Sequence, residues 1–183
     1  MTTGTHKHTI KWDLDPAHSQ LQFKVRHLML TTVTGEFKDF KIHVETEGND
    51  FSTANIHAVV KVPSVTTGNE TRDTHLKSDD FFNAESFKEL LFTGKSFKPV
   101  ADNKWLLEGD ITIRDVTKPI SFDVEYMGMM DDPWGNSKAG FEVNGVVSRK
   151  EFGLKWNVLT DTGGVVAGDE VKIHCNVQFI RQK

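Results

Sequence analysis

An alternation of apolar and polar side chains with a period of two recurs along this chain and limits what it can fold into. Leu21, Phe23 and Val25 lie between Gln20, Gln22, Lys24 and Arg26, and Phe40, Ile42 and Val44 alternate with Lys41, His43 and Glu45. Ala54, Ile56, Ala58, Val60 and Val62 share a face, as do Trp105, Leu107, Gly109, Ile111 and Ile113. Three more rows follow: Ile120, Phe122, Val124 and Tyr126; Ala139, Phe141, Val143, Gly145 and Val147; and Val171, Ile173, Cys175, Val177 and Phe179. Successive side chains on a strand point to opposite faces, so each row predicts a strand with one apolar and one wet face. Residue usage agrees. There are 18 Val, 8 Ile and 18 Thr, 44 of 183 residues, against 11 Leu and 7 Ala, and β-branched side chains suit a pleated surface better than a helix. Strands at Ile10–Leu14 and near Lys88–Ser96 bring the candidates to about nine. Phe37 is out of phase with Phe40, which predicts a bulge between them. A doubly covered parallel sheet would need continuous apolar strands separated by crossover helices, and the pattern excludes it.

The stretch between Pro63 and Phe87 breaks the alternation. Asn69 to Lys77 reads as a short helix or ordered loop, and Ser78 or Asp79 is placed to cap a second one. No linker or repeat divides the chain. The expectation is an all-β fold: an extended antiparallel barrel of about eight strands, with one or two short helices inserted around residues 68–86. Residues 1–9 would form a flexible tail and 10–183 a single domain. Closure protects strand edges, and eight strands can enclose a small ligand. Net charge is −4, which argues against a dedicated nucleic-acid binder or a polybasic membrane anchor. A single cysteine excludes an intrachain disulfide. The start, Met1-Thr-Thr-Gly-Thr-His-Lys-His, lacks the apolar stretch of a secretory signal. The cytoplasm is the expected location, and an exported form with its leader removed is the alternative.

Thirteen phenylalanines either fill a core or wall a cavity. Ala54, Ala58, Gly109, Ala139, Gly145 and Cys175 sit among bulky neighbours on the apolar faces. Such small residues either interdigitate with large ones in a packed core or open a channel. Periodicity does not separate the two. Further segments carry a resemblance. Trp12-Asp-Leu-Asp-Pro-Ala-His18-Ser-Gln-Leu-Gln-Phe-Lys-Val-Arg-His27, Gly35-Glu-Phe37, Ser64-Val-Thr-Thr67 and Arg72-Asp-Thr-His75-Leu-Lys-Ser-Asp-Asp-Phe81-Phe82-Asn-Ala appear in that order. Gly109-Asp-Ile-Thr-Ile-Arg-Asp-Val-Thr-Lys-Pro119, Arg149-Lys-Glu-Phe-Gly153-Leu and Val165-Val-Ala-Gly-Asp169-Glu-Val171 follow. Together they resemble the YceI-like, polyisoprenoid-binding family over about residues 12–180. Asp115 stands where that family usually has a turn glycine. The resemblance implies a lipocalin-like barrel that holds a long isoprenoid chain in an elongated apolar channel, with a quinone or phosphorylated prenyl head near the mouth.

The inward rows and the polar residues around the helix give the candidate ligand contacts. They are His18, Phe23, Val25, His27, Phe37, Phe40, Ile42, Ile56, Val60, Arg72, Asp73, His75, Leu76, Phe81, Phe92, Ile111, Phe122, Phe141, Val143, Gly145 and Arg149. Arg72 offers a fixed fork of donors for an anionic head, and His75 suits a quinone carbonyl. Either residue, with Asp73, equally serves to brace a loop. His18 either contacts ligand or bonds to the bend at Asp15 and Pro16. Arg149 either pairs with Glu151 or reaches the barrel end. His18 and His27 are nine residues apart and would face opposite sides of one unbroken strand, so no metal site is expected there. Cys175 reads as buried and inert. Trp134, Trp156 and Met127 to Met130 suit an apolar rim or a homodimer contact. The expected activity is therefore lipid binding without catalysis or cofactor, with transient membrane contact for loading. The rivals are an enzyme that uses Asp73 and His75 as acid and base, and a structural barrel with a packed core.

Overall fold

The computed structural model describes residues 8–158 and 166–183. Residues 1–7 of the expected 1–9 tail, and Val165 of the last motif, lie outside the described residues, and Thr9 of that tail already belongs to a strand. Among the described residues eleven strands form: β1 (Thr9–Leu14), β2 (Gln20–His27), β3 (Thr31–Phe37), β4 (Phe40–Glu47), β5 (Asp50–Lys61), β6 (Val65–Thr66), β7 (Glu89–Ala101), β8 (Lys104–Ile113), β9 (Val116–Asp131), β10 (Ser137–Ser148) and β11 (Glu170–Arg181). The described residues also form one α-helix, α1 (Glu70–Lys77).

Antiparallel pairing runs β1-β4-β5-β7-β8-β9-β10-β11 and returns to β1, so eight strands close a barrel. The inward rows meet in register: Val143 lies opposite Cys175, Leu107 opposite Phe122 and Ala58 opposite Phe92. One edge of β11 serves two strands. Its end, Phe179–Arg181, pairs with β1, and Lys172–Asn176 pairs with β2. Between them the chain turns through a 3-10 segment, Pro16–His18, whose cap Asp15 accepts from the Ala17 amide. β3 lies beside β2, and β6 beside β3.

Two local expectations are corrected. Phe37 and Phe40 do not flank a bulge in one strand. β3 ends at Phe37 and β4 begins at Phe40, with different partners, and the Lys38 amide and the Lys61 amide tie the step to Ser64 and Asp39 carbonyls. The second helix does not form. Asn69 caps α1 by accepting from the Arg72 amide, as an N-cap should. Ser78, however, donates its hydroxyl back to the His75 carbonyl at 2.6 Å and so closes α1 instead of opening a new helix. Turns follow to Phe87, with Asn83 at φ 48°.

Away from α1 the barrel is closed by rings. Phe51 packs against Trp12, Tyr126 and Phe141 at centroid distances of 5.0, 5.7 and 5.1 Å. Phe97 adds Trp105 at 4.7 Å, and Phe141 touches Phe179 at 6.1 Å. Trp12 is 2% exposed, and its indole N–H donates to Thr46 Oγ1 at 2.9 Å. Thr46 passes the bond on to the Gly48 carbonyl, so this floor buries its polar atoms satisfied.

Candidate functional site

Above the aromatic floor the barrel is hollow. A cavity of about 410 Å³ runs inside the ring, walled by the inward rows of every long strand from β4 to β11 and by β2. On β11 the lining runs from Val171 to Phe179, about 26 Å along the strand and roughly 20 Å along the axis for the usual tilt. That volume lies in the range of small-molecule sites, roughly 300–1,000 Å³. The charged and imidazole-bearing residues that line it are Arg26, His27, Arg72, His75 and Arg149. All five lie at the α1 end, and among the described residues no carboxylate joins them on the wall. The cavity is therefore greasy along its length and cationic at one end.

The small residues on the inward faces divide into two groups. Ala54, Ala58 and Cys175 line the cavity, and burial pushes the Cys175 thiol up to about 12, so it remains a protonated, apolar wall. Gly109 and Gly145 do not widen it. A Cβ on Gly145 would sit 2.4 Å from Phe122 Cδ1, and one on Gly109 would sit 2.6 Å from Phe92 Cζ. Each glycine is the floor on which a neighbouring ring lies, and the ring takes the space that the glycine vacates. Gly145 is thus corrected from a channel residue to a seat for Phe122.

Most of the other candidates come together. Phe23, Val25, His27, Phe37, Ile42, Ile56, Val60, Arg72, His75, Leu76, Phe81, Phe92, Ile111, Phe122, Phe141, Val143 and Arg149 all line the cavity. Three do not. His18 lies in the 3-10 turn outside the barrel, its ring bonded to Asp15 at 2.9 Å and its side chain 65% exposed. Phe40 packs at the start of β4 against a side cluster around Phe23, Phe37, Val60 and Val65. Asp73 turns to Thr67, whose amide and hydroxyl donate to its carboxylate at 2.8 and 2.6 Å. Trp156, Thr67 and Arg26 line the cavity without having been singled out as contacts. None of them carries a periodic signal, since Thr67 and Trp156 lie outside the strands and Arg26 lies on the outward row of β2.

The cationic end is tightly wired. Arg72 donates through Nε to Thr67 Oγ1 at 2.7 Å and through Nη2 to the Thr67 carbonyl at 3.0 Å, and among the described residues its Nη1 has no partner. His75 Nε2 bonds to Asp80 at 2.9 Å, and the ring stands edge-on to Phe81 and Trp156. Asp73 and His75 are thus held by different partners and do not form an acid–base pair. Arg149 is 4% exposed, and among the described residues it forms no ion pair with Glu151 or another carboxylate. Its guanidinium donates to the carbonyls of Gly168, Leu154, Trp156 and Ala167 at 2.7–3.0 Å and lies over the Phe81 ring. Burial pulls it below its ordinary value, and nearby Asp169 partly offsets this. Among the described residues no three His, Cys, Asp or Glu side chains converge as metal ligands would.

Asp73 and Asp169 brace this frame, and Asp15 braces the turn between β1 and β2. Burial raises Asp15, Asp73 and Asp169, but hydrogen bonds from His18 and Gln178, from Thr67, and from Ser148 and Lys150 hold each below the ordinary carboxylate value. A folded value below the unfolded one, about 3.9, gives stability that is complete above that pH and lost as pH falls through the lowered value. The melting temperature should stay level from neutral pH to about 5 and fall below about 4. Asp169→Asn should start lower and lose less on acidification, as melts across pH will show.

Comparison with known proteins places the chain among relatives. A sequence model of the YceI-like domain matches residues 12–179. UPF0312 protein SA2479 of Staphylococcus aureus strain N315 is 40% identical over 166 residues, 90% of this chain and 94% of that protein. The crystal structure of Burkholderia cenocepacia BcnA superposes with a TM-score of 0.79 at 20% identity, covering 91% of this chain and 99% of that one. A polyisoprenoid binding domain from Saccharophagus degradans, implicated in plant cell wall breakdown, gives a TM-score of 0.66 at 12% identity over 93% and 98% of the two chains.

Proposed function

Because the chain belongs to the YceI-like family, we propose that its barrel carries one long isoprenoid lipid, with the tail in the cavity and the head at the α1 end. The observation that carries this reading is the cavity itself, apolar from the aromatic floor upward and, among the described residues, bordered by cations at the α1 end. The polyisoprenoid-binding description of the Saccharophagus degradans neighbour supports the same ligand class.

Each methylene removed from water is worth about 0.8 kcal/mol, so a five-carbon unit contributes roughly 3–4 kcal/mol. A tail taken from a bilayer was already out of water, and that gain largely cancels. The cavity then sets which tails fit, and the head contacts decide which lipid is preferred. The free Nη1 of Arg72 and the imidazole of His75 favour a head rich in acceptor oxygens, of the prenyl phosphate or isoprenoid quinone type. With Asp73 tied to Thr67 and His75 to Asp80, the protein acts as a carrier and not as an acid–base catalyst.

Lipid extraction of natively purified protein followed by mass spectrometry should recover a prenyl lipid in about equal molar amount. Delipidated protein that takes up no isoprenoid alcohol, quinone or phosphate from vesicles would defeat the reading. Arg72→Ala should weaken a prenyl phosphate about tenfold, the scale of one charge-assisted hydrogen bond, and a quinone of equal tail length no more than about twofold. Equal losses for the two heads would remove Arg72 from head selection.

A further inference from the structure

The hairpin loop between β2 and β3 projects three large apolar side chains into solvent. Leu28, Met29 and Leu30 are 39%, 57% and 79% exposed, and Val158 beside them is 50% exposed. The loop sits at the cationic end of the cavity: His27, its first neighbour, lines the cavity and bridges to Ala167, which lines it too. Leu28 and Met29 hold φ of 50° and 57°, the left-handed region that residues with side chains enter at a cost. The fold therefore imposes this exposed tip against local preference.

Three of its backbone groups are bonded within the protein. The Leu28 amide donates to the Val166 carbonyl at 2.8 Å and the Leu30 amide to the His27 carbonyl at 3.0 Å, while the Met29 carbonyl accepts from Arg26 Nη2 at 2.8 Å. Each group so bonded is one fewer to strand when the tip enters a low-dielectric layer. The charge on the hairpin itself is also distinctive. In a chain of net charge −4, residues 20–35 contain Lys24 and Arg26 and no Asp or Glu. An apolar tip flanked by cations matches the acyl and anionic layers of a bilayer. A protein partner would need about 800 Å² on this side, far more than a three-residue knob offers.

We propose that the Leu28-Met29-Leu30 loop inserts into the surface of an anionic lipid bilayer and sets the cationic end of the cavity against it, so that a lipid passes between membrane and barrel. The part about passage rests on the carrier reading above; the docking itself does not.

The test uses vesicles of phosphatidylcholine with phosphatidylglycerol, and follows co-sedimentation of delipidated protein and, separately, transfer of a fluorescent geranylgeranyl probe. The intact protein should associate, less so in high salt. Leu28→Ser/Met29→Ser/Leu30→Ser should lower association and transfer rate roughly tenfold or more, while binding the same probe in water as before. Leu30→Ser alone, at the most exposed position, should lower both about threefold and guards against misfolding of the triple variant. Met130→Ser/Trp134→Ser, exposed on the β9–β10 hairpin at the floor end, should change neither. An intact protein that ignores these vesicles, loop variants that bind them fully, or an equal loss in the Met130/Trp134 variant would each overturn the proposal. A protein that docks but takes no probe in water would instead overturn the carrier reading.

Discussion

Ala58→Trp should leave the barrel folded and weaken the binding of a prenyl diphosphate presented in water by a hundredfold or more. Ala58 faces the cavity from β5, opposite Ile42 on one side and Phe92 on the other. An indole there projects into the cavity that Ala58 lines. It displaces tail carbons. Excluding one five-carbon unit forfeits roughly 3–4 kcal/mol of burial, and each 1.4 kcal/mol is a factor of ten. Short tails that end above Ala58 should bind nearly as before, and long ones should lose affinity in proportion to what is cut off. Gly145→Trp, which looks like the same experiment, should behave differently. Phe122 already lies where the new side chain must go, so even Gly145→Ala overpacks the wall and should cost about 1–3 kcal/mol of stability. Titration with geranylgeranyl diphosphate beside thermal melts separates the two. Unchanged affinity in a folded Ala58→Trp protein would remove the cavity as the binding site.

Those two positions also show where the sequence stops being legible. Ala58 and Gly145 are both small residues on inward rows, and the period of two puts each on the correct face. What distinguishes them is whether a ring from the next strand turns over the vacancy. That depends on the rotamer of Phe122 and the register of β9 against β10, neither of which leaves a mark on the pattern. The barrel itself was readable, because a two-residue alternation survives any register. The division between β3 and β4 was not, since a strand break at Lys38–Asp39 and a bulge between Phe37 and Phe40 shift the phase alike. At the α1 end the residue types were visible but their partners were not. Asp73 is adjacent in sequence to Arg72, yet both turn to Thr67, and His75 reaches forward to Asp80. Ser78 looked like a helix start because a hydroxyl caps well at either end; its bond to the His75 carbonyl makes it a stop.

Arg149 decides between a cation that binds lipid heads and one that holds the cavity's rim in shape. A head-binding arginine keeps free donors, and its loss should weaken ligand while sparing the fold. Here four donors go to the carbonyls of Gly168, Leu154, Trp156 and Ala167, which joins the segment after β10 to the approach to β11. Arg149→Met keeps much of the apolar stem but leaves those carbonyls without their donor, each half-buried and costly to strand. Leaving a buried acceptor unpaired costs about 1–3 kcal/mol, so losing four such bonds, partly regained through water, costs about 3–5 kcal/mol. For a domain of this size that is a fall of roughly 10–15 °C in melting temperature. Arg149→Lys should recover only a minor part, because a single ammonium cannot span four carbonyls arranged around a planar fork. Trp156, whose carbonyl is one of the four, stands edge-on to His75, so its fluorescence should report the loosened rim before global unfolding. Arg149→Met protein that melts like the intact one while losing prenyl phosphate affinity would reverse the assignment and make Arg149, with Arg72, the anion site.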